Sequence, residues 1–284
     1  MNTHMWANPA VKANARTVSD RGHRVVDPDS GMLACGYEGE GRLPSIEAIL
    51  DETWVSLRED KDFAGKKVLV TAGPTHEYID PVRFISNPST GKMGYAIAAE
   101  ARYRGAEVVL VSGPVNIRRP SGVRAVNVIS AAEMRDACAA EVPSCDVIIK
   151  AAAVGDYRAK NYSGRKIKRG GAQDITLELT ANADIAAEIG KMKKPGQILV
   201  GFAAETDNMT ENAVAKLEAK QLDLVVANDV SADDAGFAAD TNRVELFFAR
   251  QYGQNGRKTV SISGSKWEVA SGILDAVSSI LPAK

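Results

Sequence analysis

The chain has 284 residues, room for about two domains at roughly 150 residues each. Its 35 Lys and Arg against 36 Asp and Glu leave a net charge of −1, without the cationic excess of a sequence-independent nucleic-acid binder. Apolar residues at 45% fit a globular protein, and the three cysteines form neither a CxxC pair nor a disulfide framework, which points to a reducing, cytoplasmic setting. No apolar run approaches the roughly 18 residues of a membrane span, and residues 1–15 lack the basic start and apolar run of a signal peptide.

Residues 1–62 read as irregular, apart from one amphipathic helix over 45–57 carrying Ile46, Ile49 and Leu50. The charged run 58–62 reads as a solvated linker. Beyond Gly65 the pattern alternates. Segments 67–71, 107–112, 124–128, 146–152, 197–202 and 223–227 read as buried strands. Between and after them, 92–104, 131–141, 184–191, 208–220 and 267–280 have helical spacing, with Gly105 placed to end the first. Segments 243–249 and 258–263 read as late strands joined by a hairpin around 252–256. Strands apolar on both faces, alternating with helices, predict an α/β fold. Right-handed crossovers make it a doubly wound, mostly parallel Rossmann-like sheet with helices on both faces, preceded by an irregular N-terminal segment. The expected division is 1–62 and 63–284.

Ligands of open α/β sheets sit beyond the carboxyl ends of the strands, so the strand ends carry the functional signal. The first strand runs into Gly73-Pro74-Thr75, and a Ser/Thr/Gly-rich loop, 86–91, feeds the next helix. Free N–H groups and the helix dipole make that entry a phosphate cradle, unless the glycines serve only as a cap and turn. The P-loop pattern fails here, because Ser86 stands where its first glycine belongs and Met93 follows Lys92; G-x-G-x-x-G fails too, since Gly73 stands alone. The fourth strand ends in Ala151-Ala152-Ala153-Val154-Gly155-Asp156, where small residues admit a flat ring or ribose and Asp156 either accepts a hydrogen bond from it or caps a turn. Between Tyr157 and Gly171 stand Arg158, Lys160, Arg165, Lys166, Lys168 and Arg169 without an acid, either a cationic lid over a polyphosphate or a solvated loop. Lys216 and Lys220 share a helix face; Phe202 is either core or a base-stacking ring; Asn228 and Asp229 end another strand. Three scattered histidines give no zinc spacing, and no Ser-His-Asp order or G-x-S-x-G elbow is present.

In order, 68–94, 151–159, the KIKR run at 166–169, 182–186, 200–206 and 223–230 closely resemble the phosphopantothenoylcysteine synthetase family over about residues 65–282. The resemblance implies a CTP-dependent ligase of coenzyme A biosynthesis that joins 4′-phosphopantothenate to L-cysteine through an acyl-cytidylate. It implies that Lys166 is the lid lysine and Asn87 the residue tied to turnover of the acyl-cytidylate. It places Ala152, Ala153, Asp156, Ala183, Asp184, Ile185, Ala186, Phe202, Lys216 and Lys220 with Lys166 at CTP, and Arg83 with Asn87 at phosphopantothenate. Ala183 stands where the family commonly has proline, a change that a backbone contact survives. Mg²⁺ held mainly by the phosphates and a homodimer complete the expectation. Residues 1–62 resemble the C-terminal end of the flavin-dependent phosphopantothenoylcysteine decarboxylase, with Met1-Asn2 like the end of a Pro-Ala-Met-Asn motif and 34–42 like its substrate clamp, where the resemblance makes Cys35 the catalytic proton donor. The upstream strands, flavin site and catalytic histidine of that domain are absent from these residues. FMN and decarboxylation are therefore expected only with a complete domain, and Cys35 is expected to be idle. The competing expectation, a nicotinamide-dependent oxidoreductase on the same sheet, is disfavoured by the missing G-x-G-x-x-G and by the cationic run.

Overall fold

The computed structural model describes residues 1–168, 175–205, 208–229, 239–252 and 259–282. The chain divides into two units, Met1–Lys61 and Asp62–Lys284.

The first unit holds α1 (Thr3–Ala7), α2 (Pro9–Asp20), an antiparallel hairpin of β1 (Asp29–Met32) and β2 (Glu38–Arg42), and α3 (Ile46–Leu57). It is more regular than its composition predicts. The start of α2 explains why: the Asn8 side chain accepts from the Ala10 N–H, and Pro9 occupies the first turn. Helix α2 buries no residue; its apolar side, Val11, Ala15 and Val18, is short and stays largely exposed. The Met1 amino group donates to the Gly41 carbonyl at 2.9 Å. Gly41 has φ +138°, and a side chain there would collide with the Met1 carbonyl.

The second unit is built on an eight-stranded sheet. Its strands are β3 (Lys67–Ala72), β6 (Glu107–Ser112), β7 (Arg124–Asn127), β8 (Val147–Lys150), β11 (Ile198–Glu205), β12 (Leu224–Asp229), β13 (Thr241–Phe248) and β14 (Thr259–Ser265). Their spatial order is β14-β13-β12-β11-β8-β3-β6-β7. The six strands from β12 to β7 are parallel, and β13 and β14 add antiparallel to β12. Counted along the chain, the parallel strands have the 3-2-1-4-5-6 order of the doubly wound dinucleotide folds. Residues 253–258, within which most of the expected hairpin turn falls, lie outside the described residues. Two short hairpins, not predicted, stand off the sheet: β4 (Glu77–Tyr78) with β5 (Phe84–Ile85), and β9 (Tyr157–Ala159) with β10 (Leu179–Ala181).

Helices α4 (Lys92–Tyr103) and α8 (Lys266–Ser278) cover one face of the sheet. The other face carries α5 (Ala131–Glu141), α6 (Ile185–Met192) and α7 (Met209–Ala219). Alternation along β3 feeds both cores: Val68 and Val70 pack toward α4 and α8, while Leu69 packs toward α5. All three are fully buried, worth about 1.5–3 kcal/mol each relative to exposure. Gly94 lets α4 lie close on β3, since a Cβ there would stand 2.6 Å from that of Ala72.

Candidate functional site

The chain runs from β3 through β6 to β7 in one direction, then from β8 through β11 to β12 in the other. The crossovers therefore diverge between β3 and β8, which opens a crevice at their carboxyl ends. Two fully buried threonines hold its walls. Thr71 Oγ1 accepts from the Ala152 N–H at 3.1 Å, and Thr75 Oγ1 from the Gly155 N–H at 2.9 Å. The Ala153 N–H donates to the Gly73 carbonyl at 3.0 Å. A Cβ at Gly155 would stand 3.3 Å from the Glu77 Cγ, so the seam is tight at that position.

A cavity of about 480 Å³ fills the crevice and is bounded by second-unit residues. Its charged lining is Lys92, Lys150, Lys216, Lys220 and Lys266 against Asp156 and Asp184, so the walls favour an anion. On one side α4 begins at Gly91, in the left-handed region at φ +79°, with no side chain capping the helix. Residues 87–94, which lead into and begin α4, line the cavity, and a helix N-terminus there favours an anion. Opposite, Asp184 caps α6 and pairs with Lys220 at 2.8 Å. Burial raises the Asp184 carboxyl, but hydrogen bonds from Lys220 and the start of α6 outweigh it and hold the group below its ordinary value. Lys216 Nζ donates to the Phe202 carbonyl at 2.6 Å, and the half-buried Phe202 ring both packs on the α4–α8 core and borders the cavity.

Most sequence-predicted residues gather here. Asn87, Ala152, Ala153, Asp156, Ala183, Asp184, Ile185, Ala186, Phe202, Lys216 and Lys220 all line the cavity. Asn87 Nδ2 donates to the carbonyls of Ala153 and Val154 at 3.3 and 3.1 Å, bridging the loop before α4 to the seam. Arg83 and Lys166 do not line it. The Arg83 guanidinium is bound to Asp80 and donates to the Ile167 carbonyl at 2.6 Å, so it is a brace at the root of the cationic run. Asp80 is fully buried and also accepts from the Val82, Arg83 and Ile167 N–H groups. Burial opposes its charge, yet these donors hold its carboxyl well below the ordinary range. Lys166 is exposed beside this clasp, on the segment carried by the β9–β10 stem. Arg169, Gly170 and Gly171 lie outside the described residues. Cys35, in the first unit, is an exposed thiol in the turn between β1 and β2.

Sequence reasoning missed Lys92, Lys150, Lys266 and Asn242 as lining residues. For Lys150 a signal existed: a single cation inside an otherwise apolar strand, VIIKAA. Among the described residues no three His, Cys, Asp or Glu side chains gather as a metal site, and no helix is long and apolar enough to cross a membrane.

A 3-2-1-4-5-6 parallel core with a cationic switch-point crevice defines a Rossmann-like α/β protein with its site at the strand ends. A family model described as the DNA/pantothenate metabolism flavoprotein C-terminal domain matches residues 63–281, and the chain belongs to that family. Residues 1–57 match a second model, described as flavoprotein. The coenzyme A biosynthesis bifunctional protein CoaBC of Bacillus subtilis is 46% identical over 285 residues, covering 99% of this chain and 68% of that protein. A cysteine/cysteine sulfinic acid decarboxylase from an unknown prokaryotic organism is 44% identical over 251 residues, 87% of this chain and 70% of that protein. Among solved structures, the C-terminal domain of a CoaBC protein is 40% identical, with a TM-score of 0.64 over 77% of this chain and 97% of that domain.

Proposed function

We propose that the second unit is a phosphopantothenate–cysteine ligase that activates its acid with CTP. One observation carries this most: the N-terminus of α4 and five lysines line one cavity, an arrangement suited to a polyphosphate and a second anion together. The CoaBC relatives are named for coenzyme A biosynthesis, which supports the pathway; the particular substrates follow the resemblance of the sequence motifs. In the first step a carboxylate oxygen of 4′-phosphopantothenate attacks the α-phosphorus of CTP, and pyrophosphate leaves. The amine of L-cysteine then attacks the acyl carbon of the acyl-cytidylate. It loses a proton as the amide forms, and CMP leaves.

Neither step needs a nucleophilic side chain; both need aligned anions and neutralised charge. Lys216, Lys220 and the backbone of 183–186 would hold the nucleotide, with Asp156 and the Ala152–Ala153 backbone at its ribose or base. Lys166, on its braced segment, would reach the phosphates as the flap closes. Asn87, tied to the seam, would orient the activated acyl group. Mg²⁺ would arrive on the triphosphate. Of the two carboxylates on the cavity wall Asp184 already pairs with Lys220, which leaves phosphate and water as the main ligands of the ion. The enzyme is proposed to act as a homodimer in the cytoplasm. No reaction is assigned to residues 1–61, which hold three helices and a hairpin.

A ligand-stabilisation scan tests this. MgCTP at 100 times its dissociation constant should stabilise the fold by about 2.7 kcal/mol and raise Tm. A shift with NADH and none with CTP would favour the oxidoreductase instead.

A further inference from the structure

Lys150 closes strand β8 on the cavity wall. Val147 and Ile149 of the same strand pack toward α4 and α8, and Ile148 packs the other way. Alternation turns Lys150 toward α5, α6 and α7. The residue is 7% exposed, and among the described residues its Nζ has no hydrogen-bond partner. The titratable groups that face it are the buried Cys138 thiol on α5, Asp184 at the cap of α6, and Lys220 at the end of α7. The one carboxylate among them is already paired with Lys220. Burial, and after it the Lys220 charge, push the Lys150 ammonium down from its ordinary value, while Cys138 and Asp184 only partly offset this.

A buried ammonium without a partner is unfavourable, and a fold retains one where a ligand completes it. Three donors of an ammonium require oxygen acceptors, and the surrounding lysines select an anionic group. We infer that Lys150 is a buried ligand for a phosphate oxyanion of the nucleotide, contributing to binding what it withholds from the stability of the empty fold. This rests on the nucleotide reading of the cavity and adds to it a residue beyond Lys216 and Lys220.

The test compares the whole chain with Lys150→Met, which keeps length and removes charge. Without ligand, the variant should melt higher than wild type; a lower Tm would make Lys150 a structural lysine and overturn the inference. By calorimetry the variant should bind both CTP and inorganic tripolyphosphate about 10- to 100-fold more weakly, with cytidine binding unchanged. Equal affinity for tripolyphosphate would overturn the inference, and so would an equal loss for cytidine, which would mark a base contact. A readout that needs no variant is the pH dependence of wild-type affinity for tripolyphosphate. It should weaken as pH rises, starting below the range where ordinary lysines lose their proton; a profile that weakens only where ordinary lysines titrate contradicts the inference. Wild type that binds CTP no more tightly than the variant overturns this inference alone. Wild type that binds tripolyphosphate but no nucleotide, with the variant impaired, keeps the anion ligand and removes the CTP reading. Wild type that binds neither removes both.

Discussion

The Ile167 peptide is held from both ends by one ion pair: its N–H donates to Asp80 at 3.1 Å, and its carbonyl accepts from Arg83 at 2.6 Å. Ser163 adds a third tie, its N–H donating to the Ile79 carbonyl at 3.0 Å. Lys166 therefore stands on a segment with a fixed root.

Loss of that root should misplace Lys166 more than it disturbs the cavity. Asp80→Ala is expected to lower kcat for pyrophosphate release by about 10²-fold, the scale of an ångström-level misplacement, with CTP affinity changed far less. Stopped-flow pyrophosphate detection beside CTP calorimetry checks this; an equal loss in both would place Asp80 in nucleotide binding itself.

The same carboxylate sets a pH dependence. Its folded value lies below its ordinary 3.8, so the unfolded chain binds the extra proton first as acid is added. The stability it contributes is present above that ordinary value and is lost as pH falls through the folded one. In urea unfolding, the stability gap between wild type and Asp80→Asn should narrow as pH is lowered from about 5 toward 3. A gap that widens would reverse the sign.

Lys166→Gln should leave the melting curve intact, because the side chain is exposed. Removal of one charged donor to a developing oxyanion costs about 10²–10³ in rate, and pyrophosphate release should fall by that much. An unchanged rate would show that the lysine never reaches the phosphates.

Asn87→Asp places a carboxylate against the Ala153 and Val154 carbonyls that Asn87 now serves as a donor. Turnover of the activated acid should slow, and acyl-cytidylate should accumulate in quenched reactions. Normal turnover with no trapped intermediate would remove Asn87 from the second step.

Gly94→Val would drive α4 off Ala72. Overpacking of this kind costs about 1–3 kcal/mol, readable as a lower denaturant midpoint, and moving the α4 entry should also weaken anion binding. A neutral effect on both would mean that α4 is free to shift.

How much was legible in the chain follows from what each element depends on. Strand β3 and its parallel neighbours are apolar on both faces because helices cover both, so period and length alone identify them. Helix α2 was hidden because it buries nothing and its apolar side is small; its Asn8-Pro9 start and the spacing of Val11, Ala15 and Val18 are the signs it leaves. The β9–β10 stem was hidden because Tyr157–Ala159 pairs with Leu179–Ala181 across the cationic run, a contact without a local pattern. At the site, the strand-end loops were read from the residues themselves, Phe202, Lys216, Lys220 and 183–186 came with the family resemblance, and Lys150 and Lys266, whose role depends on burial, were missed. Lys150 looks like any lysine until the sheet and three helices enclose it, and Arg83 becomes a brace only once Asp80 and Ile167 meet it.

The central claim is that this cavity couples nucleotide activation to amide formation. Pyrophosphate release by the purified chain, with 4′-phosphopantothenate and either CTP or ATP, with and without L-cysteine, tests it most directly. Release that requires phosphopantothenate, prefers CTP and turns over fully only with cysteine is the predicted result. Release that ignores phosphopantothenate, or none with either nucleotide, would contradict it.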